Sequence, residues 1–263
     1  KSVDALVHVV RSFANDNVMH PLSTVDPVRD AKSLEEELQI TDLIIIERRM
    51  ERLEKENKKG AEYQLLQRCK DHLESGASLR SLDLSTLEKH DLMGFTFLSM
   101  KPLMLLGNYG EEGIGNDNPS GLQQFGNDNG LTVVELCGAM EMEVAQLPPD
   151  ERGPFREELG LGEESRVRFL HSAYDMLGLM SFLTAGEPEV RAWTITKNTR
   201  AVDAAAVIHS DIARGFIRAE IVNYDHFVAA GSMPKAKEAG HVRLEGKEYI
   251  MQDGDIVLFR FNV

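Results

Sequence analysis

The sequence predicts an α/β protein built from two sheets of different character, and three observations carry that prediction. Short apolar runs that suit buried strands alternate with helical patterns over much of the first 180 residues. Residues 30–95 interrupt this alternation with helical patterns alone. Residues 181–263 instead arrange strand-like runs around one Ala-rich helix, which is typical of a small α+β domain.

Three short apolar runs predict the first sheet. Residues 5–10, 103–106 and 131–136 are rich in Val and Leu, and their lengths suit buried strands better than helices. No hairpin turn joins these runs, and helical patterns lie between them, so we expect the strands to be parallel. A loop rich in Gly, Asn and Asp fills residues 107–130, and a later helix stops at Gly178.

The segment between the first two strands predicts a helical insertion. Its first helix carries apolar residues at spacings of three, four and three, namely Leu43, Ile46, Met50 and Leu53. A polar turn at residues 57–60 and a second apolar stripe then indicate an antiparallel helical hairpin with solvated charged faces. Ser85 and Glu88 have the capping-box pattern and open a third helix. The heptads at residues 34–57 are too short for a coiled-coil scaffold.

The C-terminal part predicts three strands and one helix. Residues 191–195 and 216–222 are strand-like, and the Ala-rich helix at 201–208 lies between them. A turn at residues 252–255 leads into a last strand at 256–263, whose side chains alternate in character.

Composition and charge exclude several classes of protein. Hydrophobic residues make up 42% of the chain, so it is not wholly disordered, and no apolar run approaches the ~18 residues of a membrane span. The N-terminal stretch is not a convincing signal peptide. The net charge of −14 argues against a broad surface for nucleic acid, although a local basic patch remains compatible with it. Most of the acid lies in residues 93–180, which hold 5 basic and 14 acidic residues.

Two cysteines, Cys69 and Cys137, are too few for a disulfide framework or a four-thiolate metal site. We therefore expect a reducing compartment. This is the cytoplasm, with an organelle matrix as the alternative.

Polar residues follow two neighbouring strands of the first sheet. Asn108, Tyr109 and Glu111 come directly after the second strand, where ligands of open α/β sheets bind. The Asn-x-x-acid spacing matches the place at which P-loop GTPases read a base with Asn-Lys-x-Asp, and an ordinary polar turn is the alternative. Cys137, Gly138 and Ala139 follow the third strand, either as backbone donors to a base or as a tight strand-to-helix turn.

Longer motifs resemble the YchF subfamily of Obg-like P-loop nucleotidases. They cover nearly the whole chain and occupy residues 4–11, 13–17, 108–111, 182–186, 189–195, 208–211, 214–220, 235–240 and 253–263. The C-terminal motifs are the longest and most specific. The resemblance implies a partial P-loop NTPase domain at residues 1–29 and 96–180 and an inserted helical coiled-coil domain at 30–95. It also implies a C-terminal α+β ubiquitin-like β-grasp (TGS) domain at 181–263.

The resemblance also implies an activity. Members hydrolyse ATP in preference to GTP with Mg²⁺ and act on the ribosome in translation or stress. Asn108, Tyr109 and Glu111 would flank the adenine, with Cys137, Gly138 and Ala139 on its other side. His20 matches a histidine thought to orient the attacking water, whereas a lone loop histidine is otherwise more often a surface residue. No metal ligand is expected among these residues.

One departure from the family is decisive for the chemistry. No G-x-x-x-x-G-K-[ST] run, which cradles phosphates and holds Mg²⁺, occurs in the 263 residues. The D-x-x-G segment that normally precedes the first strand is missing as well. We expect this sequence to be the C-terminal two-thirds of such a protein, with the Mg²⁺ ligands in the missing segment. The chain alone should then be inactive.

A non-catalytic adaptor that binds RNA or the ribosome is the alternative function. It would act through the helical and TGS domains, with no membrane partner and no DNA. Five basic residues could form its patch, and ordinary exposed charge is equally compatible with them: Arg191, Lys197, Arg200, Arg214 and Arg218. Salt-dependent binding to ribosomal subunits would favour this function.

Overall fold

A computed structural model describes residues 3–186 and 189–262 of the protein, and the chain divides into two compact units. Unit 1 is Lys1–Ala173 and unit 2 is Tyr174–Val263. Each unit has a sheet of its own, with three strands in unit 1 and five in unit 2. The chain is therefore a mixed α/β protein, as the sequence predicts.

The sheet of unit 1 is parallel. Its strands β1 (Leu6–Ser12), β2 (Leu103–Tyr109) and β3 (Thr132–Leu136) lie in the order β1-β2-β3. All three carboxyl ends therefore meet at one edge, where Asn108 lies beside Leu136. The predicted strands and their direction are confirmed, and β1 and β2 each extend further toward this edge than predicted.

Four helices follow β2 and β3 in unit 1. They are α4 (Gln123–Asn129), α5 (Gly138–Gln146), α6 (Pro149–Leu159) and α7 (Ser165–Met176), and the unit boundary falls within α7. A small core joins the sheet to the long helix α1 (Pro27–Lys55) and to the residues that flank α4. It contains Val10, Ala31, Leu103, Leu105, Leu122 and Leu131.

The helical insertion contains α1 (Pro27–Lys55), α2 (Ala61–Glu74) and α3 (Thr86–Leu92). Asp26 caps the first helix and Pro27 occupies its first turn, so it begins earlier than the apolar stripe alone indicates. Arg49 forms two hydrogen bonds with Glu62, and Lys70 lies 3.0 Å from Glu47. These ion pairs between α1 and α2 confirm that the two helices form an antiparallel hairpin. The capping box of Ser85 and Glu88 is also present.

Buried polar groups of α1 fix the segment that leads into β2. Asp42 is fully buried and accepts hydrogen bonds from the backbone N–H groups of Leu98 at 2.9 Å and Ser99 at 2.6 Å. Arg80 binds Glu35 at 2.6 Å and donates to the carbonyl of Lys101. The insertion is thus attached to the sheet by buried polar contacts as well as by apolar packing, although Glu35 Oε1 and Arg80 Nη2 have no partner among the described residues.

Unit 2 is a mixed five-stranded sheet in the order β5-β4-β8-β6-β7. Its elements are β4 (Leu179–Ala185), β5 (Val190–Thr196), α8 (Ala201–Ile208), α9 (Ser210–Arg214), β6 (Phe216–Asn223), α10 (Tyr224–Ala230), α11 (Met233–Glu238), β7 (Arg243–Glu245) and β8 (Asp255–Phe261). β4 runs parallel to β8, and the other neighbours are antiparallel.

The two faces of this sheet are covered differently. On one face, the Ala-rich side of α8 packs on Phe182, Ile221 and Phe259. On the other face, α10 and α11 cover Val222 and Ile256. On the second face beyond these helices, Arg218, Leu258 and Arg260 are exposed.

The sequence predicts three strands in unit 2, and the described residues of this unit form five. β4 follows Gly178 directly, without a turn of its own, and its Leu, Met and Phe residues suit a helix as well as a strand. β7 has three residues, which is too short for a periodic signal. Val263, which the sequence places in the last strand, lies outside the described residues.

Candidate functional site

The predicted base-reading residues lie at the carboxyl edge of the unit 1 sheet. The Asn108 side-chain Oδ1 accepts a hydrogen bond from the backbone N–H of Gly138 at 3.0 Å. This bond ties the end of β2 to the first residue of α5, immediately beyond β3. A Cβ built on Gly138 would lie 3.1 Å from Asn108 Oδ1, closer than side chains normally pack, so a glycine leaves the room that this contact needs.

Tyr109 and Glu111, which follow Asn108 at this edge, differ in burial. The Tyr109 ring is partly buried and packs over Gly113, where a Cβ would lie 2.8 Å from Tyr109 Cδ2. Burial raises the pKa of the Tyr109 phenol, so the hydroxyl is a protonated hydrogen-bond donor at neutral pH. Glu111 is exposed on a short 3₁₀ turn. Its carboxylate is therefore open to a ligand.

The third group of predicted residues forms the strand-to-helix turn after β3. Cys137 is buried and has the extended backbone of an N-cap, and α5 begins at Gly138. Ala139 is exposed in the first turn of this helix. The structure thus brings Asn108 and Gly138 into contact and places the other predicted residues on the two flanking turns.

A buried carboxylate beneath this edge was not predicted from the sequence. Glu135 of β3 accepts a 3.0 Å hydrogen bond from the Ser120 backbone and another from its hydroxyl. Gln123 donates to its second oxygen at 3.0 Å. Gly107 lies beside Glu135 in the sheet, and a Cβ there would come within 2.6 Å of the Ser120 side chain. These contacts fix the Asn/Gly-rich loop against β2 and β3.

An acid at an otherwise apolar strand position is the one sequence signal that could have indicated this cluster. Arg168 of α7 is a further member of the edge, because its Nη2 donates to the Glu135 carbonyl at 2.9 Å and to Ser165 Oγ at 3.1 Å. Its buried Nε has no hydrogen-bond partner among the residues that the structure describes.

His20 lies in the loop after β1 and is held by its neighbours. Its Nε2 lies 2.9 Å from Asp30 Oδ2, and its Nδ1 accepts a 3.2 Å hydrogen bond from the Leu22 backbone N–H. Because Nδ1 is the acceptor, Nε2 carries the proton and donates to Asp30. Arg29 binds the other oxygen of Asp30 at 2.8 Å. Both ring nitrogens are therefore engaged, and contact with a water requires one of these bonds to open.

Across residues 3–186 and 189–262, no three His, Cys, Asp or Glu side chains are arranged to hold a metal ion. A nucleotide-bound Mg²⁺ usually takes one or two protein carboxylates and the substrate phosphates, which needs no such cluster. None of the described helices is both long and apolar enough to cross a bilayer.

The predicted basic residues of unit 2 are mostly paired with acids. Lys197 lies 2.8 Å from Asp175, Arg200 lies 2.8 Å from Asp203, and Arg214 lies 2.9 Å from Asp211. The guanidinium of Arg191 instead stacks on the Trp193 ring at 4.0 Å.

The chain is similar in sequence to a known protein family. The family model YchF-GTPase_C, described as "Protein of unknown function (DUF933)", matches residues 179–262. Proteins named "Ribosome-binding ATPase YchF" from Bacillus subtilis (strain 168) and Haemophilus ducreyi (strain 35000HP / ATCC 700724) are 40% and 41% identical to this chain. Each match covers all of this chain and 74% of the relative.

Solved structures agree with these matches. The "Structure of the Schizosaccharomyces pombe YchF GTPase" matches with a TM-score of 0.84 and 28% identity, over 98% of this chain and 72% of that one. The "Crystal Structure of GTP binding protein from Pyrococcus horikoshii OT3" shares the fold, with a TM-score of 0.59 and 18% identity over 98% of this chain and 79% of the other. These findings define a class of ATPases and GTPases with an α/β nucleotide fold. Within that class, the chain belongs to the YchF family.

Proposed function

We propose that the carboxyl edge of β2 and β3 binds the base of ATP, as part of an Obg-like nucleotidase that works on the ribosome. The observation that carries this proposal is the hydrogen bond between Asn108 and the Gly138 backbone. It supports a base site because it holds two strand-end turns at a fixed spacing, and strand ends of open α/β sheets are where such ligands bind.

The chemistry of the edge favours adenine over guanine. In the Asn-Lys-x-Asp arrangement, a carboxylate accepts two hydrogen bonds from the donors on the guanine edge, whereas adenine has one amino donor there. Here the acid is Glu111, and it stays exposed on its turn rather than being held beside Asn108. The Tyr109 ring supplies an apolar wall for the base, and its neutral phenol adds a donor.

His20 is the proposed residue for orienting water at the phosphates. The structure holds its Nε2 on Asp30, so the proposed role requires His20 to leave Asp30 when the phosphates are in place. The run that binds phosphates and Mg²⁺ is not in this sequence, and the chain by itself is proposed not to hydrolyse ATP.

We also propose the finer division of the fold. Unit 2 is assigned as a TGS-type β-grasp domain on its mixed sheet and packed helix α8. The α1–α2 hairpin is assigned as the coiled-coil insertion. Because the curated relatives are named ribosome-binding, a cytoplasmic role on the ribosome in translation or stress is proposed.

A non-catalytic ribosome-binding adaptor is the second candidate. The relatives' printed names give ribosome binding alongside ATPase activity, and this candidate keeps only the ribosome binding. An adaptor would bind ribosomes without any nucleotide at the β2–β3 edge. Nucleotide binding therefore distinguishes the two candidates.

Equilibrium dialysis with labelled ATP and GTP tests the proposed base site. We expect ATP to be retained more strongly than GTP, and we expect Asn108→Ala to lose most of that retention. Asn127→Ala, at an exposed position in α4, serves as the matched control and should behave like the wild type. Equal retention of both nucleotides would contradict the adenine preference, and equal loss in both variants would contradict the role of Asn108.

A further inference from the structure

The basic residues of unit 2 differ in whether an acid of the same chain already neutralises them. Lys197, Arg200 and Arg214 each lie within 3.0 Å of an Asp carboxylate. Such exposed pairs add little stability, but they cancel most of the local positive charge. The patch predicted from the sequence therefore attracts an anion less than its composition indicates.

A different set of cations gathers around one buried carboxylate. Glu220 of β6 has a side chain only 7% exposed, and Arg260 of the neighbouring strand β8 binds it at 2.9 Å. Arg218 lies beside Arg260 in the same pair of strands. The hydrogen bond from Arg260, together with the positive charges of Arg260, Lys237 and Arg218, lowers the pKa of the Glu220 carboxyl. These four residues are called the Glu220 cluster.

The Glu220 cluster lies on the face of the sheet opposite α8. Side chains alternate along a strand, and Ala219, Ile221 and Phe259 point into the core against α8. Arg218, Glu220 and Arg260 therefore share the opposite face, beside the α10–α11 cover. Ala236 of α11 packs on that face. Lys237 is the next residue, so it lies at the border between the helix cover and the exposed strand residues.

The charge balance of this cluster favours an anionic partner. Glu220 neutralises one cation and fixes Arg260 in place, which leaves an excess of two positive charges from three cations and one carboxylate. Neither Arg218 nor Lys237 has an ion pair within residues 3–186 and 189–262. Both side chains are exposed. Exposed cations on a sheet face suit contacts to backbone phosphates better than the reading of base edges.

We propose that Arg218, Lys237 and Arg260 form a surface that binds the phosphate backbone of RNA. The proposal deepens the proposed function, on which it rests, by locating a surface for the ribosome. Single- or double-stranded RNA presents the same phosphates, and a sequence-independent contact is expected. Because the whole chain carries a net charge of −14, the attraction must be local and weak away from this surface.

Fluorescence anisotropy with a fluorescein-labelled RNA hairpin tests the surface in the complete 263-residue chain. We expect binding to weaken with KCl concentration with a log–log slope of about −2, as for two to three phosphate contacts. Arg218→Gln with Lys237→Gln should weaken binding at least about tenfold at low salt. Arg200→Gln with Arg214→Gln removes the same charge from paired positions and should change binding less than about twofold.

Two results would overturn the proposal. Equal weakening by the two double variants would show that general charge, and not this surface, attracts RNA. Binding of purified ribosomes without any binding of the RNA hairpin would show that the partner is a ribosomal protein. The second result leaves the proposed ribosomal role standing, since co-sedimentation with ribosomes and nucleotide retention measure that role separately.

Discussion

Asn108 connects the ends of β2 and β3 by binding a backbone group rather than another side chain. Its Oδ1 binds the Gly138 N–H, so no substitution at position 138 can supply or remove the donor, except proline. Glycine at 138 also leaves the space that Asn108 occupies. The Asn-x-x-Glu motif and the small-residue turn, two weak signals in the sequence, therefore belong to one structural feature.

Gly107 is expected to be intolerant of a side chain. Because a Cβ at this position would lie 2.6 Å from Ser120 Cβ, Gly107→Ala must displace the Ser120–Glu135 contact. We expect a loss of about 1–3 kcal/mol in the free energy of unfolding, measured by urea denaturation. Gly94→Ala meets no atom within 4 Å and is the matched control. A loss as small as that of the control would show that the loop is not held against β2.

At the scale of elements, Glu141 joins three helices of unit 1. The carboxylate of this α5 residue receives two hydrogen bonds from Arg156 of α6, at 2.8 and 3.0 Å, and one from the Ser165 hydroxyl at the start of α7. Burial alone would raise its pKa, but the hydrogen bonds from Arg156 and Ser165 outweigh burial and lower it. The ionised form is therefore favoured by folding.

This linkage predicts a pH dependence with a definite sign. Since the folded-state pKa of Glu141 lies below its unfolded value, its contribution is fully present above the unfolded pKa. It is lost as the pH falls through the lowered folded-state value. Thermal unfolding between pH 7 and pH 3 should show a smaller decrease in Tm for Glu141→Gln than for the wild type. An identical decrease in both proteins would contradict the role of this carboxylate.

Elements with a clear pattern were predicted, and elements without one were missed. The stripe of α1 identifies a helix, and the apolar runs of β1, β2 and β3 have the length and composition of buried strands. β4 and β7 lack either a distinct composition or sufficient length. The Glu135 cluster could not be predicted, because it joins a strand residue to Ser120 and Gln123 of a loop whose path depends on tertiary packing.

Ion pairing of the basic residues in unit 2 also could not be predicted from the sequence. The sequence identifies which residues are cationic, but it does not show which of them an acid from another element neutralises. Arg214 and Arg218 are four positions apart, yet Asp211 pairs with the first, whereas the second lies in the Glu220 cluster. Pairing is a property of the folded surface, and it changes which residues are expected to contact RNA.

Acidic and basic residues are distributed unevenly along the whole chain. The net charge of −14 and the acid-rich residues 93–180 disfavour a polyanion near the β2–β3 edge unless it brings or meets compensating positive charge. The base and the ribosome are the two partners that we propose for residues 3–186 and 189–262.

The most direct test of the base site is the Gly138 backbone amide resonance in two-dimensional ¹⁵N NMR spectra during titration with ATP and with GTP. We expect ATP to shift the Gly138 and Ala139 amide resonances more than GTP does. We expect Asn108→Ala to remove this shift while the protein keeps the dispersed spectrum of a folded chain. An unchanged Gly138 amide at ATP concentrations that shift resonances elsewhere would contradict a base site at this edge.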